Sequence, residues 1–140
     1  MSQENVELVR GMWEAFNRRD FDVLRRLHHP QISWKTSVDD PDATTHHGRE
    51  AVQGYLEDFI ETFPLDSELQ ELFGLPDGRV FATTRFVGES ASGVPIDYTL
   101  TVISTMEQGL LIHVEEYRDR AEALNAVGLS EQDAHADTSS

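Results

Sequence analysis

The sequence predicts an α+β fold, in which helices and a mostly antiparallel sheet occupy separate parts of one domain. Apolar residues at helical spacing recur in three stretches before residue 64, with one strand-like segment between the second and the third. Four strand-like segments joined by turn sequences follow, from Leu69 to Tyr117. Helices that precede a run of hairpin-linked strands are typical of an α+β domain, whereas a parallel α/β sheet would alternate the two.

The three helices are predicted from their apolar faces and their ends. The first has an apolar face of Val6, Val9, Trp13 and Phe16. Asp20 can cap a short second helix, because an aspartate accepts the unpaired N–H groups of a first turn. Pro30 restricts the residue before it and ends that helix. The third begins after Gly48, and its broad apolar stripe consists of Val52, Tyr55, Leu56, Phe59, Ile60 and Phe63.

Alternating apolar and polar residues predict the strands. An early strand spans residues 32–36, and the polar residues 37–47 predict the longest loop. The later strands are predicted at residues 69–75, 80–87, 96–106 and 110–117, and a last helical turn at residues 121–126. Residues 1–129 are expected to form the single domain, and the acidic segment 130–140 is expected to be disordered.

Length and charge exclude several classes of protein. The 140 residues suit one domain. With 11 basic and 26 acidic residues the net charge is -15, which argues against a nucleic-acid partner because binding to phosphates needs a basic surface. No apolar run approaches the roughly 20 residues of a membrane span, and no leader sequence is recognised, so a cytoplasmic location is expected. The absence of cysteine excludes disulfides and thiolate metal sites.

Three segments resemble a known family. WEAFNRRDFDVLRRL (13–27), HHGREAVQGYL (46–56) and EQGLLIHVEEYRDRAEALNAVGL (107–129) resemble the SnoaL-like family of the nuclear transport factor two-like superfamily, over residues 3 to about 129. The resemblance implies a conical barrel, with three N-terminal helices on the concave face of a strongly curved sheet. It also implies a deep apolar pocket and a homodimer formed through the outer face of the sheet. The superfamily includes cyclases, isomerases and ligand-binding members, so the fold alone implies no reaction.

Asp97 is the first candidate for catalysis. The segment Pro95-Ile96-Asp97 resembles the segment of ketosteroid isomerase that carries its oxyanion-stabilising aspartic acid. Burial against the aromatic residues Trp13, Trp34 and Phe86 would raise the pKa of the Asp97 carboxyl. The alternative is a solvated or ion-paired strand residue.

Thr99 and Thr101 share a face with Asp97 by period-two alternation, and we include them as ligand contacts. That face is either the pocket or the outer surface. Ketosteroid isomerisation itself is disfavoured, because Trp13 stands where the isomerase has a tyrosine and no carboxylate stands between residues 34 and 37.

The histidines are the second set of candidates. His46 and His47 lie where the family's pocket opens, and an imidazole there is an available acid or base near pH 7. Adjacent side chains rarely converge, so one of the two is expected to be exposed. His113 and Glu115 share a strand face, which is either the pocket or the dimer surface, and we include both as ligand contacts.

Aromatic residues are the expected pocket walls, as well as core residues. Those named as ligand contacts are Trp13, Phe16, Trp34, Tyr55, Phe59 and Phe86, with Tyr98 added because it carries a polar atom. No metal and no cofactor are expected, since the sequence has neither metal-binding histidine spacings nor nucleotide-binding motifs.

The leading functional hypothesis is a pocket that binds a small, largely apolar molecule and performs acid–base chemistry, of the cyclase or isomerase type, on a carbonyl compound. A binding or accessory dimeric module without catalysis is the alternative. A dimeric interaction domain with a vestigial pocket is a third possibility.

Overall fold

The computed structural model describes residues 2–37, 44–63 and 65–129. The helices are α1 (Ser2–Arg18), α2 (Phe21–Leu27), α3 (Arg49–Thr62) and α4 (Arg120–Ala126). The strands are β1 (His28–Lys35), β2 (Thr45–His47), β3 (Asp66–Gly74), β4 (Val80–Glu89), β5 (Pro95–Glu107) and β6 (Leu110–Tyr117). No helix among these residues is long and apolar enough to cross a membrane.

The strands form one mixed sheet in the order β2-β1-β6-β5-β4-β3. All neighbours are antiparallel except β1 and β6, which are parallel. The sheet is not closed, and it curls like a cone around the first three helices. Three of its strand pairs contain a register shift, and such bulges bend strands and increase their twist. The predicted α+β fold is confirmed.

The apolar faces of α1 and α3 pack on the concave face of the sheet. Val9 of α1 and Val52 of α3 are buried against Ile32 of β1 and Val114 of β6. Asp20 caps α2 by accepting a hydrogen bond from the backbone N–H of Val23 at 3.3 Å, as predicted. These contacts hold the helices over the middle of the sheet and leave a cavity toward one end.

The outer face of the sheet is partly covered by α4. Its Ala123 and Leu124 form a cluster with Phe73, Phe81 and Ile103. Beside this cluster Arg120 donates two hydrogen bonds to the Glu71 carboxylate, at 2.6 and 2.8 Å.

One predicted loop contains a strand. Thr45–His47 pairs with β1, with His46 opposite Trp34 and His47 opposite Ser33. A three-residue strand of Thr-His-His has no apolar alternation, so its sequence carries no strand signal. The domain boundary and the disorder predicted for residues 130–140 lie outside the described residues.

Candidate ligand pocket

An apolar chamber lies between the helices and the concave face of the sheet. Its volume is about 100 Å³. The chamber is lined by Val9, Met12, Trp13, Phe16, Leu24, Trp34, Tyr55, Leu56, Phe59, Leu69, Ala82, Thr84, Phe86, Tyr98, Leu100, Val102 and Glu116. All six aromatic residues expected from the sequence are therefore in its wall, together with Tyr98.

A wider and more polar mouth adjoins this chamber, with a volume of about 620 Å³. The two spaces share Tyr55, Phe59, Tyr98, Leu100 and Glu116, so these residues form the throat between them. The mouth alone is lined by Thr36, Ser37, Thr44, His46, Asp58, Thr62, Phe63, Ile96 and Arg118. A ligand could thus enter past polar groups and bury its apolar part in the chamber.

Glu116 is the polar centre of the throat. Its Oε2 atom accepts a hydrogen bond of 2.7 Å from Trp34 Nε1 and one of 2.8 Å from Tyr55 Oη. These donors come from β1 and α3, so the carboxylate is held from the sheet and from the helical layer.

Glu116 was not among the residues predicted from the sequence, because a β-bulge changes the alternation of β6. Leu111 and Val114 are both buried in the core on the concave side, although they are three residues apart. The register shifts between Thr105 and Met106, where β6 carries one extra residue. Alternation counted from Leu111 therefore assigns the wrong face to the rest of β6. A usable signal was the pair Glu115-Glu116, because neighbouring residues in a strand point to opposite faces.

Asp97 lies on the outer face, and its expected position in the pocket is wrong. Arg85 donates two hydrogen bonds to its carboxylate, at 2.9 and 2.7 Å, and 58% of the Asp97 side chain is exposed. These hydrogen bonds lower the pKa of Asp97 rather than raise it. The physical reason is alternation, since Tyr98 and Leu100 of β5 face the chamber and Asp97 belongs to the opposite phase.

The two threonines that share the phase of Asp97 also lie outside the pocket. Thr99 is exposed. Thr101 is buried, but on the outer side, where its hydroxyl lies 3.2 Å from that of Thr83. Neither can contact a ligand in the chamber, so both assignments are corrected.

His113 and Glu115 are corrected in the same way. Ser33 Oγ lies 2.5 Å from His113 Nδ1, and His113 Nε2 lies 3.0 Å from Glu115 Oε1. Tyr117 donates a hydrogen bond of 2.7 Å to Glu115. These four residues form a polar chain on the outer face, and its three β6 residues alternate with Glu116, which faces the chamber.

The two adjacent histidines have different positions. His46 lines the mouth, and its ring stacks on that of Tyr55 with centroids 4.5 Å apart. His47 is exposed and pairs with Ser33 on the outer face, so its expected place at the pocket is wrong. Of the pair, only His46 can reach a molecule in the mouth.

Two further features bear on what the pocket binds. The indole nitrogen of Trp13 is buried, and it has no hydrogen-bond partner among the described residues. Within the same residues, no three His, Asp or Glu side chains are grouped as a metal site would require.

Comparison with protein families identifies the family of the chain. The model of the SnoaL-like domain matches residues 9–114. The chain belongs to the SnoaL-like family. Among curated proteins, none matches its sequence.

Several solved structures share the fold of this SnoaL-like chain. Bal32a, from a soil-derived mobile gene cassette, is 26% identical with a TM-score of 0.76, over 82% of this chain and 88% of Bal32a. A Mycobacterium tuberculosis protein in complex with estradiol-17beta-hemisuccinate is 16% identical with a TM-score of 0.72, over 84% and 95% of the two chains. A hypothetical protein with a ketosteroid isomerase-like fold from Catenulispora acidiphila, in complex with trimethylamine, is 14% identical with a TM-score of 0.69, over 88% and 93%.

Proposed function

We propose that this SnoaL-like protein binds a small, largely apolar molecule in the chamber, with a polar group of that molecule at Glu116. The observation that carries the proposal is the carboxylate of Glu116, held by Trp34 and Tyr55 at the throat of an aromatic chamber. A cavity with apolar walls and a few oriented polar groups is the usual form of a small-molecule site.

The support is geometric and comparative. The chamber and its mouth are continuous through shared residues, so apolar and polar parts of one ligand can be accommodated together. Two neighbours of the same fold hold small organic molecules, a steroid ester in one and an amine in the other. The buried indole N–H of Trp13 is a second polar position, available to an acceptor on the ligand.

The two tryptophans make a direct test possible. They are the only tryptophans in the chain, and both line the chamber. Their indole N–H resonances in a ¹⁵N NMR spectrum would be followed while small neutral alcohols, phenols and ketones are added. Saturable shifts of both resonances are expected, and no shift with any of these compounds would contradict the proposal.

Matched variants locate the binding site. Ala82→Leu fills the chamber with a larger apolar side chain, and we expect it to abolish these shifts. Glu116→Gln keeps the size of the side chain but removes its charge, and it is expected to weaken the binding of ligands that donate hydrogen bonds to the carboxylate. Glu115→Gln changes the neighbouring carboxylate on the outer face and should leave binding unchanged.

Acid–base catalysis on a carbonyl compound is the second candidate function. Glu116, rather than Asp97, would act as the acid and base, because the Glu116 carboxylate borders the apolar chamber. The carboxylate would take a proton from the carbon next to the carbonyl, leaving an enolate whose oxygen can accept the Trp13 N–H. Where the enolate is conjugated with a double bond, return of the proton from Glu116 to a different carbon would complete an isomerisation.

Deuterium exchange tests this chemistry without knowledge of the natural substrate. Simple cyclic ketones such as cyclohexanone would be incubated in D₂O with the protein, and loss of their α-proton signals would be followed by NMR. If the protein is an enzyme, the α-protons should exchange for deuterium faster than in buffer alone. The Glu116→Gln variant should not accelerate this exchange. Binding without exchange would support the non-catalytic alternative.

We also propose a homodimer formed through the outer sheet face, as the family resemblance implies. That face carries the polar chain of Ser33, His113, Glu115 and Tyr117. Sedimentation equilibrium should give twice the chain mass of 15.8 kDa, and a monomer at all concentrations would contradict this part of the proposal. A cytoplasmic location also stays a prediction.

A further inference from the structure

We infer that the preferred ligand carries a small organic ammonium group, which lies against the aromatic walls beside Glu116. The inference rests on the proposed function, because it concerns the same pocket, and it specifies the charge and chemical class of the ligand. A molecule with alkyl groups on a cationic nitrogen is largely apolar in surface and still carries a full positive charge.

A carboxylate is the charged group of the chamber lining. Among the described residues that line the chamber, Glu116 is the one charged side chain, and His46 and Arg118 line the mouth that Glu116 also borders. The interaction between charges is stronger in such a low-dielectric setting than in water. A cationic ligand gains from this carboxylate, whereas an anionic ligand would be repelled by it.

Aromatic rings form much of the chamber wall. Trp34 and Tyr55, which hold Glu116, are themselves rings of the chamber, with centroids 6.2 Å apart. Phe86 and Tyr98 continue the wall, with centroids 5.3 Å apart. The faces of such rings attract alkylammonium groups, and aromatic cages that recognise them combine several rings.

A cation of the protein itself, the guanidinium of Arg118, already contacts the outer end of this aromatic wall. Its guanidinium carbon lies 4.8 Å from the centroid of Tyr98, at the mouth of the pocket. Arg118 is exposed to solvent, so water and salt screen its repulsion of an entering cation. The net charge of -15 favours the approach of cations to the protein as a whole.

The size of the chamber limits the group that it can hold. A cavity of about 100 Å³ is of the same order as the cavity of roughly 150 Å³ that binds benzene in an engineered protein. A trimethylammonium head group is of this size, and a longer substituent can extend into the mouth of about 620 Å³.

Two probes of the same shape isolate the charge. Choline and 3,3-dimethylbutan-1-ol differ only in that a cationic nitrogen replaces a neutral carbon. Each would be titrated into the native protein while the indole resonances of Trp13 and Trp34 are followed. We expect choline to bind at least 10-fold more tightly, with an advantage that decreases as salt is added.

The variant Glu116→Gln should reduce the advantage of choline to less than 3-fold, because both probes carry the same hydroxyl group and only choline loses an interaction between charges. Glu115→Gln is the control and should preserve the advantage. The comparison of the two probes on the native protein needs no variant, so it remains decisive if Glu116→Gln does not fold.

The outcomes separate this inference from the proposed function. Equal or tighter binding of the neutral alcohol would overturn the ammonium inference and leave the apolar pocket supported. Absence of binding by both probes would also overturn the ammonium inference. The titration with neutral alcohols, phenols and ketones would then test separately whether the pocket binds apolar molecules.

Discussion

The indole nitrogen of Trp34 donates a 2.7 Å hydrogen bond to Glu116 across the parallel pair β1 and β6. Trp34 is opposite Val114 in the register, so Glu116 is the next residue of β6 on the same face. Tyr55 donates to the same oxygen from α3. Two donors directed at one oxygen fix the orientation of the carboxylate toward the chamber.

Tyr55→Phe should loosen this carboxylate. The change removes one hydrogen bond to a charged group, which contributes about 1.5–3 kcal/mol, and it leaves the ring in the wall. We expect a lower free energy of unfolding in urea and a shifted Trp34 indole resonance, together with weaker ligand binding. Tyr117→Phe is the matched control, since it removes a hydrogen bond to Glu115 on the outer face and should not alter binding. Equal effects of the two variants on binding would contradict the assignment of Glu116.

Asp97→Asn should leave ligand binding unchanged, because Asp97 is paired with Arg85 on the outer face. Its effect on stability should be small, as is usual for exposed ion pairs. A carbon NMR titration of the native protein should give a carboxyl pKa for Asp97 below the ordinary value of 3.8, because Arg85 stabilises its charged form. A raised pKa, or loss of binding in the variant, would restore Asp97 as a pocket residue.

His28 should make the protein less stable in mild acid. Both of its ring nitrogens are buried without a partner among the described residues, and burial, with a contribution from Arg49, lowers its pKa from 6.5 to about 4. Above pH 6.5 His28 is neutral in both the folded and the unfolded state. As the pH falls from 6.5 to 4 the unfolded state binds a proton first, so stability decreases, in total by on the order of 3 kcal/mol.

Urea unfolding at pH 7 and pH 5 measures this effect. The Glu71, Asp77, Asp97 and Glu115 carboxylates have lowered pKa values, so their own contributions are lost only below this window. His28→Leu should remove much of the loss between the two pH values, whereas the exposed control His47→Gln should retain it. The same pH dependence in both variants would contradict the prediction.

Arg120→Met should destabilise the outer layer without affecting the pocket. The guanidinium donates two hydrogen bonds to Glu71, and only 19% of the Glu71 side chain is exposed. Loss of the partner leaves a mostly buried carboxylate, at a cost of about 2–3 kcal/mol in urea unfolding. Arg26→Met, on the exposed side of α2, is the control and should have little effect. A large loss of ligand binding in Arg120→Met would contradict the separation of the two faces.

Arg120→Met should also alter the acid stability. The hydrogen bond from Arg120 lowers the pKa of Glu71 below 4.5 in the folded protein. Its contribution to stability is therefore present above pH 4.5 and lost as the pH falls through the lowered pKa. The variant should lack this part of the acid-induced loss, which unfolding curves between pH 5 and pH 3 would reveal.

Sequence patterns predicted the helices and strands well where the apolar pattern repeats over many residues. The stripe of α3 and the cap at Asp20 need only nearby residues, and both appear as expected. The strand Thr45–His47 was not predicted because only its pairing with β1 makes it a strand. The expected aromatic residues lie in the chamber wall because large apolar side chains are buried where the helices cover the sheet.

The sequence by itself determined the order of the helices and strands, the apolar faces of α1 and α3 and membership of the SnoaL-like family. Only the tertiary structure decided that Glu116, and not Asp97, faces the chamber. Period-two alternation allows two phases for each strand, and the choice depends on which face the helices cover. In β6 the bulge reverses the phase within the strand, so no count along the sequence reaches Glu116 from Leu111.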